Sequence, residues 1–550
     1  MMASVTVETS AGPVAGSASG GIAVFKGIPY AEAPAGALRF APPEPRRPWR
    51  EPRDCTAFGP MAHQAFRKGD IMAPPAGTAA MSEDCLSVNV WAPEDALGGG
   101  ALPVYVFIHG GGFAAGSASQ PLFGAFPPGG APRPLYDGAA FARRGVVLVT
   151  LNYRLGAPGF LCLEAIAARH GVSPGNRGLL DQLEALRWVA REIAAFGGDP
   201  GAVTLGGESA GAVCASALAV SPPARGLFRG AVMQSGTVLS LPGFPVAKGD
   251  PETACALGEA FLRLLGLPRG AAGLAALERA DPAVLARLTA LDFDFRRPCP
   301  LAFSPVADGT VVPADPHAAL ARGGLNCRRI LVGFNRDEGS LFLPRETAQG
   351  TLATMEHCFL GPAGLAAFAA ACPPGPGDGR APWRRTRRAL AYALFTAGAR
   401  RFADLASRSA TVYAYRFDHA PPLARLAGLG ACHALELPFV FGSHRDPGLL
   451  SGRGSARLAS LMNSLWASFA AAGGEGRGRP AAAGPPPPLE GGTGGAGFSW
   501  PAYDERGLAA AVFARVSRAA RLPDAEGLAV MAEAFFGAIP GRTGRAGPSG

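Results

Sequence analysis

Short apolar runs that end in glycine or asparagine recur along the chain and predict the strands of a sheet. The runs are VYVFIHGGG, VVLVTLNYR, VTLGGESAG, AVMQSG, ILVGFNRDEG and TVYAYRF. Between two of them, in residues 178–196, Leu183, Leu186, Val189 and Ile193 keep the spacing of an amphipathic helix. Strands that alternate with helices predict an α/β fold with a mostly parallel central sheet flanked by helices. Ligands of such sheets bind beyond the carboxyl ends of the strands.

Two Ala- and Leu-rich segments, at about residues 245–296 and 360–405, interrupt this alternation. Their composition favours helices, and we predict that they form helical insertions over the binding edge of a single domain that spans residues 1–540. Residues 475–497 are rich in Pro and Gly and predict an exposed flexible loop. Residues 541–550 predict a disordered tail.

Composition and charge exclude several classes of protein. The chain has 550 residues, of which 48% are hydrophobic, a globular composition. No apolar run reaches the roughly 18 residues that a membrane-spanning helix needs, so no membrane span is predicted. The net charge is +9 and comes mainly from arginine, most densely in WRRTRRAL at residues 383–390. Because no nucleic-acid motif accompanies this cluster, we interpret it as a solvated helix face and predict no nucleic-acid partner.

The ten cysteines are scattered and form no C-x-x-C motif or Cys/His spacing typical of a metal site. We therefore predict no metal. The chain starts MMASVTVETSAGPVAG, which has no basic region followed by an apolar one. This start predicts no secretory signal, and we expect a cytoplasmic protein, with secretion as the alternative.

Two serines lie in a G-x-S-x-G motif, Ser209 in GESAG and Ser173 in GVSPG. Ser209 follows a strand-like run and precedes a small-residue stretch with helical character, which is the setting of a nucleophile elbow. The next residue, Ala210, has an N–H that can bind an oxyanion, whereas Pro174, which follows Ser173, has none. We predict that Ser209 is a nucleophile and that Ser173 belongs to a loop.

A nucleophilic serine also needs oxyanion donors, a base and an acid. The glycines of IHGGGF, residues 108–113, let backbone N–H groups face a ligand, so Gly111, Gly112 and Ala210 form the predicted oxyanion hole. Two histidines, His419 and His433, follow the run TVYAYRF, and either could be the base. Two acids, Asp337 and Glu338, end the run ILVGFNRDEG, and sequence order alone does not choose between them.

Taken together, these stretches resemble the type-B carboxylesterase family, the cholinesterase-like branch of the α/β-hydrolases. The resemblance covers nearly the whole chain and includes FKGIPYAEAPAGALRFAPPEPRRPW, SEDCLSVNVWAP, VFIHGGGF, NYRLGAPGF, GNRGLLDQLEALRWV, GGESAGA, GFNRDEGSLF and HALELPFVFG. It implies an α/β-hydrolase fold and a serine carboxylesterase that acts on small-molecule esters without a cofactor. A non-catalytic adhesion or scaffold protein, and an amidase or lactonase with the same site, are the alternatives.

The resemblance selects Glu338 as the acid and His433 as the base for Ser209. It implies that Glu208 and Ser235 support this triad from behind. Further implied features are two structural ion pairs, Arg39 with Glu83 and Arg154 with Asp181. Phe342 is predicted to line the acyl pocket with Phe113 nearby, and core packing is the alternative for both rings.

Two departures from the family pattern concern a disulfide and an aromatic residue. The family usually joins the cysteine of SEDCL, here Cys85, to one that follows FGP, but this chain reads FGPMAHQ there. Cys55 is the nearest cysteine, so either Cys85 is a free thiol or the pairing is shifted. Residues 67–81 contain no Trp for a quaternary ammonium group, which argues against a choline ester as substrate.

Overall fold

The structure is a computed structural model, and it describes residues 3–66, 73, 80–121, 134–240, 251–288, 303–343, 366, 368–370, 382–444, 454–472, 489–491, 498–514 and 516–523. The predicted tail at 541–550 lies outside the described residues. The predicted loop at 475–497 does too, apart from residues 489–491.

Short strands occur along the whole described chain. They are β1 (Ala3–Thr9), β2 (Gly12–Ser19), β3 (Ile22–Pro29), β4 (Arg53–Asp54), β5 (Ser87–Pro93), β6 (Leu102–Ile108), β7 (Val147–Leu151), β8 (Gly198–Glu208), β9 (Gly230–Gln234), β10 (Arg329–Asn335), β11 (Thr411–Phe417), β12 (Leu489–Gly491), β13 (Phe498–Trp500), β14 (Ala509–Phe513) and β15 (Arg518–Arg521).

The helices are mostly short, and several of them follow strands of the sheet. They are α1 (Ala139–Ala142), α2 (Gly156–Phe160), α3 (Glu164–His170), α4 (Arg177–Glu192), α5 (Ala210–Val220), α6 (Pro251–Leu264), α7 (Gly270–Arg279), α8 (Pro282–Leu288), α9 (Pro316–Ala321), α10 (Pro382–Ala391), α11 (Ala397–Ala406), α12 (Pro422–Leu426), α13 (Leu437–Val440) and α14 (Ser455–Ala471). A π-helical turn, Tyr392–Thr396, joins α10 to α11.

One large sheet organises the described residues. Its order is β1-β2-β3-β5-β7-β6-β8-β9-β10-β11-β14-β15, with β4 beside β2. From β7 to β14 every neighbouring pair is parallel, whereas the strands outside this centre pair antiparallel, β4 with β2 excepted. The prediction of a mostly parallel central sheet is confirmed.

Alternate residues of the central strands enter two different cores. Val106 of β6 packs in the core on one face of the sheet, and Phe107 packs in the core on the other face. All five residues of β7 are buried. Helices cover both faces, so these strands are apolar throughout rather than alternating with polar residues.

The six apolar runs that predicted strands correspond to β6, β7, β8, β9, β10 and β11. The predicted helical stretch at 178–196 is α4 and a following 3-10 turn, Ile193–Phe196. The described parts of both predicted insertions are helical, as α6 to α8 and as α10 to α11. Two further strands, β14 and β15, follow the run TVYAYRF along the chain and extend the sheet beyond β11.

The two ion pairs implied by the resemblance are present. The guanidinium of Arg154 donates to both carboxylate oxygens of Asp181, at 2.8 and 2.6 Å, and the pair is buried. Arg39 Nε lies 2.5 Å from Glu83 Oε1. Cys55 and Cys85 are both buried free thiols, so the structure contains no disulfide between them.

Two kinds of feature are absent from the described residues. No helix there combines the length and the apolar character that crossing a bilayer requires. Nor does that part of the chain hold a group of three or more His, Cys, Asp or Glu side chains suited to a metal ion.

Candidate active site

A strained turn holds Ser209 between the end of β8 and the start of α5. Its φ of 56° and ψ of −123° lie where residues with a side chain rarely occur. Two backbone hydrogen bonds fix the turn: Ser209 N donates to Gln234 O at 2.8 Å, and Val213 N donates to Ser209 O at 3.0 Å. Glycine is required at Gly211 because a Cβ there would overlap the carbonyl oxygen of Ile108 at the end of β6.

The glycine loop after β6 lies directly against this turn. A Cβ on Gly110 would lie 3.0 Å from Ser209 Cβ, so the loop touches the serine. Gly111 and Gly112 both adopt positive φ, at 105° and 60°. Within the described chain, the N–H groups of Gly111, Gly112 and Ala210 have no hydrogen-bond acceptor. These three donors are therefore available to a ligand.

Glu338 follows β10 and is completely buried. Its Oε2 lies 2.6 Å from His433 Nδ1, and its Oε1 accepts hydrogen bonds from Ser235 Oγ at 2.6 Å and from Asn335 N at 2.7 Å. Both carboxylate oxygens are thus occupied, and the hydrogen bond to Nδ1 fixes the orientation of the imidazole.

The neighbouring acid, Asp337, points in another direction. Its Oδ2 accepts from Ala431 N at 2.8 Å and lies 2.8 Å from the guanidinium of Arg336. Asp337 therefore anchors the loop that carries His433 and makes no hydrogen bond to the imidazole within the described chain.

The second nitrogen of the imidazole faces Glu208. His433 Nε2 lies 3.1 Å from Glu208 Oε1. Among the described residues, no hydrogen bond joins Ser209 Oγ to His433. The structure thus brings Glu338, His433, Glu208 and Ser235 into one contact chain, with the Ser209 turn beside it.

Burial and charge shift the protonation of this pair. Burial lowers the pKa of His433, but the carboxylates of Glu208 and Glu338 outweigh it and raise the pKa to about 9. Burial raises the pKa of Glu208 to about 8, against the opposing charge of His433. The coupling between the two groups has opposite signs: the Glu208 carboxylate favours a protonated His433, and a protonated His433 favours an ionised Glu208.

A third buried carboxylate, that of Glu436, supports the site through hydrogen bonds, and it was not predicted from the sequence. Glu436 Oε1 accepts from Gln234 Nε2 at 2.9 Å, and Glu436 Oε2 accepts from Asn335 Nδ2 at 2.6 Å. Asn335 Nδ2 also donates to Cys432 O at 2.7 Å. The network ties the ends of β9 and β10 to the histidine loop. The signal was the HALE motif itself, which places this acid three residues after the histidine.

Two aromatic rings pack against the imidazole. The centroids of Phe342 and Phe395 lie 5.0 and 4.5 Å from that of His433. Phe395 belongs to the π-helical turn, and no feature of its local sequence indicated this place. Phe113 is only 1% exposed and packs edge-on against Phe160, at 5.2 Å, inside the main core. The structure thus gives Phe113 a packing contact and places Phe342 beside the histidine.

The remaining candidates lie elsewhere. His419 Nε2 contacts Ser455 Oγ at 3.1 Å, and burial lowers the pKa of His419 to about 4. Ser173 lies in the loop between α3 and α4, where its Oγ accepts from Gly175 N at 3.3 Å.

Nearly the whole chain is similar to known carboxylesterase sequences. The sequence model of the carboxylesterase family matches residues 3–359 and 374–506. The para-nitrobenzyl esterase of Bacillus subtilis (strain 168) is 36% identical over 484 residues, which cover 85% of this chain and 90% of that protein. The phenmedipham hydrolase of Pseudarthrobacter oxydans is 34% identical over 489 residues, with 85% and 90% covered.

Solved structures show the same likeness. A PNB esterase structure superposes with a TM-score of 0.76 and 32% identity, covering 96% of this chain and 99% of that chain. The crystal structure of the Geobacillus stearothermophilus carboxylesterase EST55 at pH 6.2 gives a TM-score of 0.73 and 34% identity, with the same coverage. The architecture is therefore the α/β-hydrolase fold.

Proposed function

Because this chain belongs to the carboxylesterase family and is a carboxylic ester hydrolase, we propose that Ser209 attacks the ester, with His433 as base and Glu338 as the acid that orients it. Gly111, Gly112 and Ala210 supply the oxyanion hole. The observation that carries this proposal is the 2.6 Å contact between His433 Nδ1 and Glu338 Oε2, at the sheet edge where the Ser209 turn lies.

In the first step, the ester carbonyl lies against the glycine loop with its carbon above Ser209 Oγ. The imidazole turns its Nε2 from Glu208 to Ser209 and takes the hydroxyl proton as Oγ attacks. The negative charge that develops on the carbonyl oxygen is bound by the three backbone N–H groups that have no acceptor in the described chain. Catalytic hydrogen bonds often form only in the substrate complex, which accounts for the resting contact with Glu208.

In the later steps, the protonated His433 gives its proton to the leaving alcohol, and an acyl-enzyme remains on Ser209. Water then enters, His433 removes a proton from it, and the acid product leaves. Glu338 stabilises the imidazolium in both half-reactions, while Ser235 and Asn335 hold the Glu338 carboxylate in place.

The test of this proposal is covalent labelling. A fluorophosphonate probe is expected to modify Ser209, as peptide mass mapping would show, and to abolish hydrolysis of p-nitrophenyl acetate in proportion to labelling. Modification at another serine together with loss of activity would contradict the assignment of the nucleophile.

Replacing Glu208 with glutamine is expected to shift the pH profile. His433 must be neutral to accept a proton, so kcat/KM rises with pH through the pKa of the imidazole. Glu208 raises that pKa, so E208Q should move the acidic limb of the profile to lower pH, by about 1 to 3 pH units. The profile would be measured by quantifying the carboxylic acid that the enzyme releases from an ester at each pH.

Glu184→Gln is the matched control, since Glu184 is a buried glutamate on α4 that pairs with Arg191 at 3.0 Å and is not among the carboxylates that raise the pKa of His433. Its profile should coincide with that of the wild type. An acidic limb that stays fixed in E208Q would show that Glu208 does not set the protonation of His433.

Phe342→Ala is expected to change the acyl preference. The ring lies beside His433, and we propose that it lines the acyl pocket. Its removal opens space, so the ratio of kcat/KM for a long acyl ester to that for acetate should rise about 10-fold or more. A panel of p-nitrophenyl esters of graded acyl length measures this ratio.

Phe113→Leu is the comparison variant, because Phe113 packs in the core rather than beside the imidazole. Its ratio should stay near that of the wild type even if its stability falls. If kcat/KM depends on acyl chain length in the same way in Phe342→Ala and in the wild type, the acyl pocket lies elsewhere.

A further inference from the structure

Two buried cysteine thiols meet outside the active site. The Sγ atoms of Cys162 and Cys255 lie 2.8 Å apart, and the two residues are 3% and 6% exposed. They form a small cluster with Ala254 and Val306. We call Cys162 and Cys255 the thiol pair.

The thiol pair joins two separate parts of the fold. Cys162 lies in the short link between α2 and α3, where Leu163 N donates to Pro174 O at 3.1 Å and Arg177 donates to the carbonyl oxygen of Leu161. Cys255 lies on α6, in the helical insertion. The α2–α3 link is thus held in place by hydrogen bonds that do not involve the helical insertion.

The close approach of these two segments is specified by a glycine. Gly258 lies three residues after Cys255 on α6, and a Cβ on it would overlap the carbonyl oxygen of Cys162. The helix backbone therefore rests directly on the link that carries Cys162. This contact holds the two sulfur atoms at a defined separation.

We propose that the thiol pair is an oxidative modification site, at which a small hydroperoxide converts Cys162 and Cys255 into a disulfide that fastens α6 to the α2–α3 link. A disulfide requires sulfur atoms about 2.05 Å apart. The two sulfur atoms, now 2.8 Å apart, need to approach each other by less than about 1 Å to reach this distance.

The chemistry balances with hydrogen peroxide as the two-electron oxidant. One cysteine, as its thiolate, attacks a peroxide oxygen, the O–O bond breaks, and a sulfenic acid and the first water form. The sulfur of the other cysteine then attacks the sulfenic sulfur and displaces the second water. In sum, two thiols and one H2O2 give one disulfide and two waters, and a dithiol reductant reverses the reaction by exchange.

The environment of the thiol pair sets the kind of oxidant. The hydrogen bond with Cys162 and, to a smaller extent, burial raise the pKa of the Cys255 thiol. Because the thiolate is the reactive form, we expect oxidation over hours rather than seconds. Because both side chains are buried, bulky disulfides such as oxidised glutathione should not reach the sulfur atoms.

The bond would restrain a large part of the chain. The loop it closes runs from residue 162 to residue 255 and includes β8, α5 and β9. A crosslink over a loop of this length disfavours the unfolded chain strongly. Neither cysteine contacts the proposed catalytic residues, so the effect should fall on stability rather than on turnover.

The experiment uses the full-length protein, reduced and then exposed to hydrogen peroxide at millimolar concentration. We expect an intact-mass loss of about 2 Da, a peptide linking Cys162 to Cys255 in a non-reducing digest, and a rise in Tm of about 5 °C. Dithiothreitol should reverse all three changes, and the rate of ester hydrolysis should change less than about two-fold. Oxidised glutathione should add no mass at either position.

Cys255→Ala should abolish the linked peptide and the rise in Tm, whereas Cys327→Ala, a buried cysteine ahead of β10, should keep both. Peptide mapping of the wild type needs no variant, so a poorly folding substitution does not block the test. Three outcomes would overturn the proposal: no linked peptide after exhaustive peroxide treatment, linkage of either cysteine to a different partner, or sulfinic acid on one cysteine alone.

Discussion

Replacement of Ser209 by alanine is expected to lower kcat for ester hydrolysis by about 10⁶-fold. The substitution removes the atom that we propose forms the bond to the acyl group. The small side chain of alanine keeps the turn intact, because the backbone bonds of Ser209 to Gln234 and Val213 do not involve the hydroxyl. The measurement is kcat with p-nitrophenyl acetate, supported by loss of fluorophosphonate labelling.

Ser173→Ala is the matched control for this variant, because Ser173 lies in the same G-x-S-x-G pattern but in a loop. It should keep wild-type kcat and full labelling. A loss of less than about 100-fold in the Ser209 variant, in a preparation free of wild-type enzyme, would show that another group performs the attack.

Replacement of Glu338 by glutamine is expected to lower kcat by about 10⁴-fold, as loss of the orienting acid does in other triads. Glutamine has nearly the same shape but no charge to stabilise the imidazolium. The glutamine has only one acceptor oxygen, and Ser235 Oγ and Asn335 N both donate to the corresponding oxygen of the wild-type carboxylate. If the glutamine oxygen keeps these two hydrogen bonds, its NH2 group faces the imidazole. The amide NH2 that faces Nδ1 then donates to it, and the imidazole is held in the wrong tautomer.

Asp337→Asn separates this effect from a general disturbance of the loop. Asp337 binds Ala431 N and Arg336 rather than the imidazole, so we expect kcat to fall less than about 10-fold, with a lower Tm. If Asp337→Asn abolishes turnover and Glu338→Gln does not, the assignment of the acid is wrong.

The central sheet could be predicted from the sequence because its strands are buried on both faces. Such strands consist of continuous apolar residues that glycine or asparagine ends, and β6 to β11 all have this pattern. The outer strands could not be predicted in this way. β2 reads GPVAGSAS and β14 reads AAAVF, both poor in the residues that favour strands. Pairing with β1 and β11 determines their conformation, and pairing partners are not visible in a local window.

For the site, the residue types could be predicted from the sequence, but which of two adjacent residues contacts the histidine could not. Asp337 and Glu338 are adjacent, and only the tertiary contacts show that one side chain binds Ala431 while the other meets His433. The contact of Glu208 with His433 depends on how the histidine loop folds over the serine turn, which no spacing records. Phe395 reached the imidazole through a π-helical turn in an Ala-rich helix, where one extra residue per turn redirects the ring.

The two serines at positive φ, Ser209 at 56° and Ser235 at 54°, directly follow the neighbouring strands β8 and β9. A conformation of this kind costs about 1–3 kcal/mol for a residue with a Cβ, and glycine largely avoids it. Directed evolution that screens survivors of heating alone, without an assay for turnover, should therefore enrich glycine at position 209. The most heat-stable variants of such a library would lack catalytic activity, so stability and turnover would have to be selected together.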